Sequence, residues 1–151
     1  MARYFLDSSA LVKRYHTEHG TADLDALINT SGHRFFISRL ALVEVQSSLA
    51  RLVREGSLHE IGFRQLVTRL EDDVAAGILT VMALSSRRLE EAAGILGTLG
   101  LRHNMRTLDV LQLASAQALH VRSRLAGFVA ADKKLLTVAA SAFGFSVVPV
   151  G

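Results

Sequence analysis

Asp7, Glu44, Asp109 and Asp132 are the residues whose type and surroundings could do chemistry. Asp7 directly follows the apolar run Tyr4–Phe5–Leu6, and Asp132 stands in the same way behind FVAA. Glu44 and Asp109 sit among apolar neighbours: Leu42, Val43 and Val45 for the first, Leu108, Val110 and Leu111 for the second. A charge in such company costs free energy unless something offsets it. If these acids converge they repel, so some must take up a proton or a cation must neutralise them. Oxygen ligands without a thiol suit a hard divalent ion, Mg2+ or Mn2+, and the chain has no Cys. Such an ion lowers the pKa of bound water, orients it in line with a phosphodiester and stabilises the leaving oxygen. The competing reading makes each acid a helix cap, accepting free N–H groups and complementing the dipole. Glu44 and Asp109 fit capping less well, because each falls one or two residues past the expected cap.

The elements that must position these acids follow from periodicity. RYFLD reads as a strand, and SSALVKRY and GTADLDALINT read as two short helices. RFFIS (Arg34–Ser38) is a second strand; Leu42, Val45, Leu49, Leu52 and Val53 then recur at helical spacing until Gly56. Leu58 to Val74 repeats the amphipathic pattern, with Ile61, Leu66 and Leu70 assigned to one side. GILTVMAL is a third strand, and Ser85 or Ser86 caps a helix running to about Leu99. Thr107 opens a helix with Leu111, Ala114, Ala118 and Val121 as its apolar face. GFVAAD, KKLLTVAASA and FSVVPV complete the chain as strand, helix and strand, the last ended by Pro149. Short apolar strands alternating with helices imply a parallel sheet inside a three-layer α/β sandwich. All four acids then fall at strand C-ends or helix N-ends, the edge where such sheets bind ligands.

At 151 residues the chain is expected to form a single domain, residues 1–151, with a core that needs no staples. Half of its residues are hydrophobic, which excludes a disordered protein. The lack of Cys removes disulfides and thiolate metal sites and fits a reducing cytoplasm, the expected location. Asp7 breaks the first apolar run too early for a signal peptide, and no run approaches the ~18 residues of a membrane span. Net charge is +3, and all but three of the 17 basic residues (Lys13, Lys133 and Lys134) are Arg. Arg presents a planar fork of donors suited to phosphate, so the surface is compatible with nucleic acid.

Four stretches together resemble the PIN-domain ribonucleases, and within them the VapC-type toxins of toxin–antitoxin pairs: YFLDSSALVKRY, ISRLALVEVQSSLARLVREG, RTLDVLQLASAQAL and GFVAADKKLLTVAASAFGFSVV. They arrive in the family's order and span nearly the whole chain. The resemblance implies a five-stranded parallel sheet in order 3-2-1-4-5 between helices, and an acidic site at Asp7, Glu44, Asp109 and Asp132. It also implies an Mg2+- or Mn2+-dependent endoribonuclease that dimerises and is blocked by a cognate antitoxin. Ser8 or Ser9 resembles the small hydroxyl residue after the first acid, which helps bind metal water or phosphate. One departure stands out: the family commonly has Thr two positions before the last acid, and here the residue is Ala130.

Other signals carry less. HTEH places His16 and His19 three apart with no third ligand, and reads as a solvated turn rather than a zinc site. His33, His59, His103 and His120 are scattered and expected at the surface. Arg102 and Arg106, in the segment before Asp109, are candidates for backbone phosphate. EDD (Glu71–Asp73) is expected to decorate a helix C-terminus, and GILGTLG lacks the context of a phosphate loop. Three rival functions remain. An aspartate-based phosphotransferase needs a second Asp two residues after the first, where Ser9 stands. A receiver domain needs an acceptor Asp after the third strand, where Ser85 stands. A PIN-like adaptor for RNA or protein without catalysis draws its only support from Ala130.

Overall fold

The structure, a computed structural model, describes residues 1–151. Its strands are β1 (Arg3–Leu6), β2 (Arg34–Ser38), β3 (Leu79–Met82), β4 (Gly127–Ala130) and β5 (Val147–Pro149). The helices are α1 (Ser8–Leu11), α2 (Thr21–Ile28), α3 (Arg39–Arg54), α4 (Glu60–Ala75), α5 (Ser86–Thr98), α6 (Thr107–Arg122) and α7 (Lys133–Phe143). All strand pairs are parallel, in the order β3-β2-β1-β4-β5. This is the expected three-layer sandwich. Pro149, which lacks an N–H, lies on the edge strand, opposite Ala130 of β4.

Alternation along the central strands divides the core between the two faces of the sheet. Phe5 and Phe128, adjacent in register, point toward α6 and α7 and pack with Leu113, Ala116, Leu135 and Ala139. Leu6 and Val129 point the other way, toward Leu11, Leu24, Val45, Leu49 and Leu70. Burying one such side chain fully is worth roughly 1.5–3 kcal/mol. On α3 the buried stripe is Ala41, Val45 and Leu49, a spacing of four that turns one face to the sheet.

Two helices end on glycines, the first of them as expected. After α3, Gly56 adopts φ +77° and donates to Val53 O while Ser57 donates to Leu52 O. Gly77 (φ +74°) and Ile78 repeat that pair of bonds with Val74 and Asp73 at the end of α4. In both cases a left-handed residue pairs carbonyls that the helix leaves free.

Four expectations need correction. Ile61 is 73% exposed, because it lies about half a turn round α4 from Leu70; the inward face is Phe63, Leu66, Val67, Leu70 and Val74. Val121 is also exposed, whereas every residue from Val110 to Ala116 is buried. A helix wedged between the sheet, α5 and α7 has no solvent face to give it a period. His33, His103 and His120 are half-buried, the first against Tyr4 and the last against Phe145. Asp73 does lie in the last turn of α4, but its carboxylate is buried against Arg14 and Tyr15.

Candidate active site

Strand order reverses at β1: β2 and β3 follow on one side, β4 and β5 on the other. The crevice at the C-terminal ends of β1 and β4 is therefore the topological switch point, where open parallel sheets bind ligands. Asp7 is the first residue beyond β1 and is only 4% exposed. Its backbone N–H donates to Val129 O at 2.9 Å, and its Oδ2 accepts from the Ser9 N–H at 2.9 Å and from the Ser9 hydroxyl. Ser9 Oγ in turn accepts the Ala131 N–H at 3.0 Å, so one hydroxyl ties the loop after β1 to the loop after β4. Burial pushes the Asp7 carboxyl up to about 6, against the pull of the Ser9 hydrogen bonds, and the charges of Glu44 and Asp109 add to the rise.

Glu44 projects from the second turn of α3, and its Oε1 accepts from Gln112 Nε2 at 2.7 Å. Burial raises its carboxyl too; bonds from Gln112 and Ser8 and the Arg106 charge oppose that, while Asp109 reinforces it. Asp109, in the first turn of α6, stands 3.4 Å from Arg106 Nε. Asp7, Glu44 and Asp109 thus come from three elements and share one electrostatic field.

Asp132 answers to different neighbours. Its Oδ1 caps α7, accepting the N–H groups of Lys134 at 2.9 Å and Leu135 at 3.1 Å. Its Oδ2 lies 3.8 Å from Arg106 Nη2. Asp109 and Asp132 border an open cleft of about 790 Å3 whose walls include Arg102, Arg106, Lys133 and Lys134; Asp7 and Glu44 are not on those walls. Capping and site-building are therefore compatible, since Asp7 and Asp132 both cap helices and face this edge. Ala130 is fully buried in the apolar layer beneath α6 and α7, and supplies no polar atom.

No three His, Asp or Glu side chains stand as a ready-made metal cage. Each carboxylate has a protein partner: Ser9 for Asp7, Gln112 for Glu44, Arg106 for Asp109, and the Lys134 and Leu135 N–H groups with Arg106 for Asp132. The donor set nevertheless suits a hard divalent ion, being all oxygen with charge left to neutralise. Sequence reasoning missed Gln112, Ser38, Lys133 and Lys134 around this edge. Gln112 had left a trace: it is a lone amide in the apolar run Leu111–Ala114, one helical turn from Asp109.

A parallel α/β sandwich with acids along its switch-point edge defines the class to which the comparisons point. The chain belongs to the PIN domain family, whose profile matches residues 4–140. PIN domains are generally nucleases. Among solved structures, the chain is similar to PAE2754 from Pyrobaculum aerophilum, with 20% identity and a TM-score of 0.61 over 90% of this chain and 84% of that one. It is similar to a chain of VapBC2 from Rickettsia felis bound to a promoter DNA fragment, with 17% identity and a TM-score of 0.63 over 99% of both chains. It is also similar to a chain of the DNA-bound VapBC of Salmonella typhimurium, with 15% identity and a TM-score of 0.61 over the whole of both chains. These likenesses speak for the fold. No curated protein sequence matches the chain. No helix is long and apolar enough to cross a membrane.

Proposed function

We propose that this protein is a metal-dependent endoribonuclease, the VapC-type toxin of a toxin–antitoxin pair. Asp7, Glu44, Asp109 and Asp132 would hold Mg2+ or Mn2+. What supports the reading is that the Asp109 charge raises the carboxyls of both Asp7 and Glu44, and the Glu44 charge that of Asp7, inside a PIN fold and at the switch point of its sheet. Once bound, the ion supplies an activated water and neutralises charge on the phosphate.

The chain's own residues do the rest. Ser9 orients Asp7 and holds it against β4. Asp132 spends one oxygen on capping and turns the other toward Arg106. Arg102, Arg106, Lys133 and Lys134 flank Asp109 and Asp132, where cations offset the repulsion between carboxylates and the RNA backbone. Two of the similar structures are VapBC complexes, which supports a cognate antitoxin as partner. A homodimer acting in the cytoplasm belongs to the same reading.

Purified protein should cut RNA with Mg2+ or Mn2+ and stop with EDTA. Asp7→Asn and Asp109→Asn should abolish cutting while the protein stays folded by circular dichroism. Metal-independent cutting, or full activity in both variants, would overturn the reading; failure to cut any RNA while still binding it would favour an adaptor.

A further inference from the structure

A short chain of hydrogen bonds runs beneath the acidic edge. Ser38 Oγ donates to Gln112 Oε1 at 2.9 Å, and Gln112 Nε2 donates to Glu44 Oε1 at 2.7 Å. The three residues come from the end of β2 and from the second turns of α6 and α3. Gln112 is 0% exposed and Ser38 1%. With Glu44 ionised, as a metal ligand must be, the direction of each bond is forced, because a carboxylate only accepts. Gln112 must turn its NH2 to Glu44, which leaves its carbonyl to Ser38 and makes the hydroxyl the donor.

We propose that Gln112 is a positioning residue that sets the Glu44 carboxylate for the divalent ion, with Ser38 locking the amide. The inference rests on the metal-dependent reading above. Packing alone does not call for a glutamine here, since an apolar side chain of similar length would fill the space without a polar group to satisfy. A neutral amide is also the donor that interferes least. Arg or Lys in its place would compete with the ion, and an acid would add repulsion. Glu44 is a long, flexible side chain, and a bond to Oε1 fixes the plane in which its second oxygen lies. Gln112 sits one turn from Asp109, so α6 carries one candidate ligand and the group that orients another. Partners of this kind are worth about 10–100-fold in metal affinity or activity.

The test measures Mn2+ binding to the full chain, by electron paramagnetic resonance of the free ion, and the metal-free melting temperature. Gln112→Met should weaken Mn2+ binding about 10–100-fold, and Ser38→Ala should weaken it less. In a Glu44→Gln background, Gln112→Met should weaken binding no further, because its effect passes through Glu44. At saturating metal the KM for RNA should not move. Unchanged Mn2+ affinity in Gln112→Met, or an equal loss in the Glu44→Gln background, would make Gln112 a structural residue only. If Gln112→Met fails to fold, Ser38→Ala decides: unchanged Mn2+ affinity overturns the proposal, weakened affinity supports it. A wild type that binds no Mn2+ removes the metal-dependent reading and this inference together, whereas a wild type that binds it beside an unaffected Gln112→Met removes this inference alone.

Discussion

Arg14 and Asp73, 59 positions apart, form a buried pair in which Arg14 Nε lies 2.7 Å from Asp73 Oδ2. Tyr15 OH donates to the same oxygen at 2.7 Å, and Arg69 lies over the Tyr15 ring. The cluster pins the segment after α1 to the last turn of α4. Burial alone would raise the Asp73 carboxyl, but the bonds from Arg14 and Tyr15 outweigh it and hold the group below the ordinary carboxylate range. Asp73→Ala leaves the largely buried Arg14 with only the exposed Asp25 carboxylate, 3.7 Å from its Nη1, and should lower stability by about 3 kcal/mol, the lower end for a broken buried pair, in urea unfolding. Tyr15→Phe, which removes one donor, should lower it by about 1–2 kcal/mol. Equal losses from the two would contradict the ion pair.

Asp7 should make metal-free stability fall as pH rises. Its carboxyl stands at about 6 in the folded chain against 3.8 ordinarily, so between those values the folded state keeps a proton that the unfolded state gives up. Stability is full below about pH 4, declines through pH 6 and is flat above, the whole effect being about 3 kcal/mol. Asp73 runs oppositely, its contribution being present above pH 4 and lost as the pH falls further. In EDTA, Asp7→Asn, which can still cap α1, should gain on wild type between pH 4 and 6. A difference independent of pH would show that Asp7 does not titrate there.

Mn2+ should raise the melting temperature of the wild type, because the ion binds only the assembled site. At a hundredfold excess over Kd the stabilisation is about 2.7 kcal/mol. Asp109→Asn should lose most of that rise without being less stable in EDTA, since it removes repulsion toward Asp7 and Glu44. A large loss of metal-free stability instead would assign Asp109 to holding α6 in place.

Arg106 reaches Asp109 and Asp132 with a side chain that is 78% exposed. So exposed a pair adds little to stability; under the proposed function Arg106 meets phosphate. Arg106→Gln should raise the KM for RNA, flatten the salt dependence of cleavage and leave Mn2+ binding no weaker. Unchanged KM and salt slope would take Arg106 out of the RNA path.

Much of the architecture was legible because it is local. Alternating apolar runs, the glycines at positions 56 and 77 and the serine at 85 mark their elements through backbone chemistry within a few residues. What failed was non-local. Asp73 reads as one more acid at a solvated helix end until α4 is laid beside Arg14. Val121 reads as core by its neighbours' spacing, but α6 is buried so completely over Val110–Ala116 that spacing carries no phase.

The sequence by itself determined the α/β class, the succession of strands and helices, and an acid at or near the start of four helices. Those properties depend on side-chain period and on the conformations that individual residues allow. Only the tertiary structure decided which acids act on one another: Asp7, Glu44 and Asp109 in one field, and Asp132 with Arg106. It also decided that Gln112 reaches Ser38, 74 positions away, and Glu44, 68 positions away. Charge interactions and hydrogen bonds depend on distance in space, and separation along the chain does not encode it.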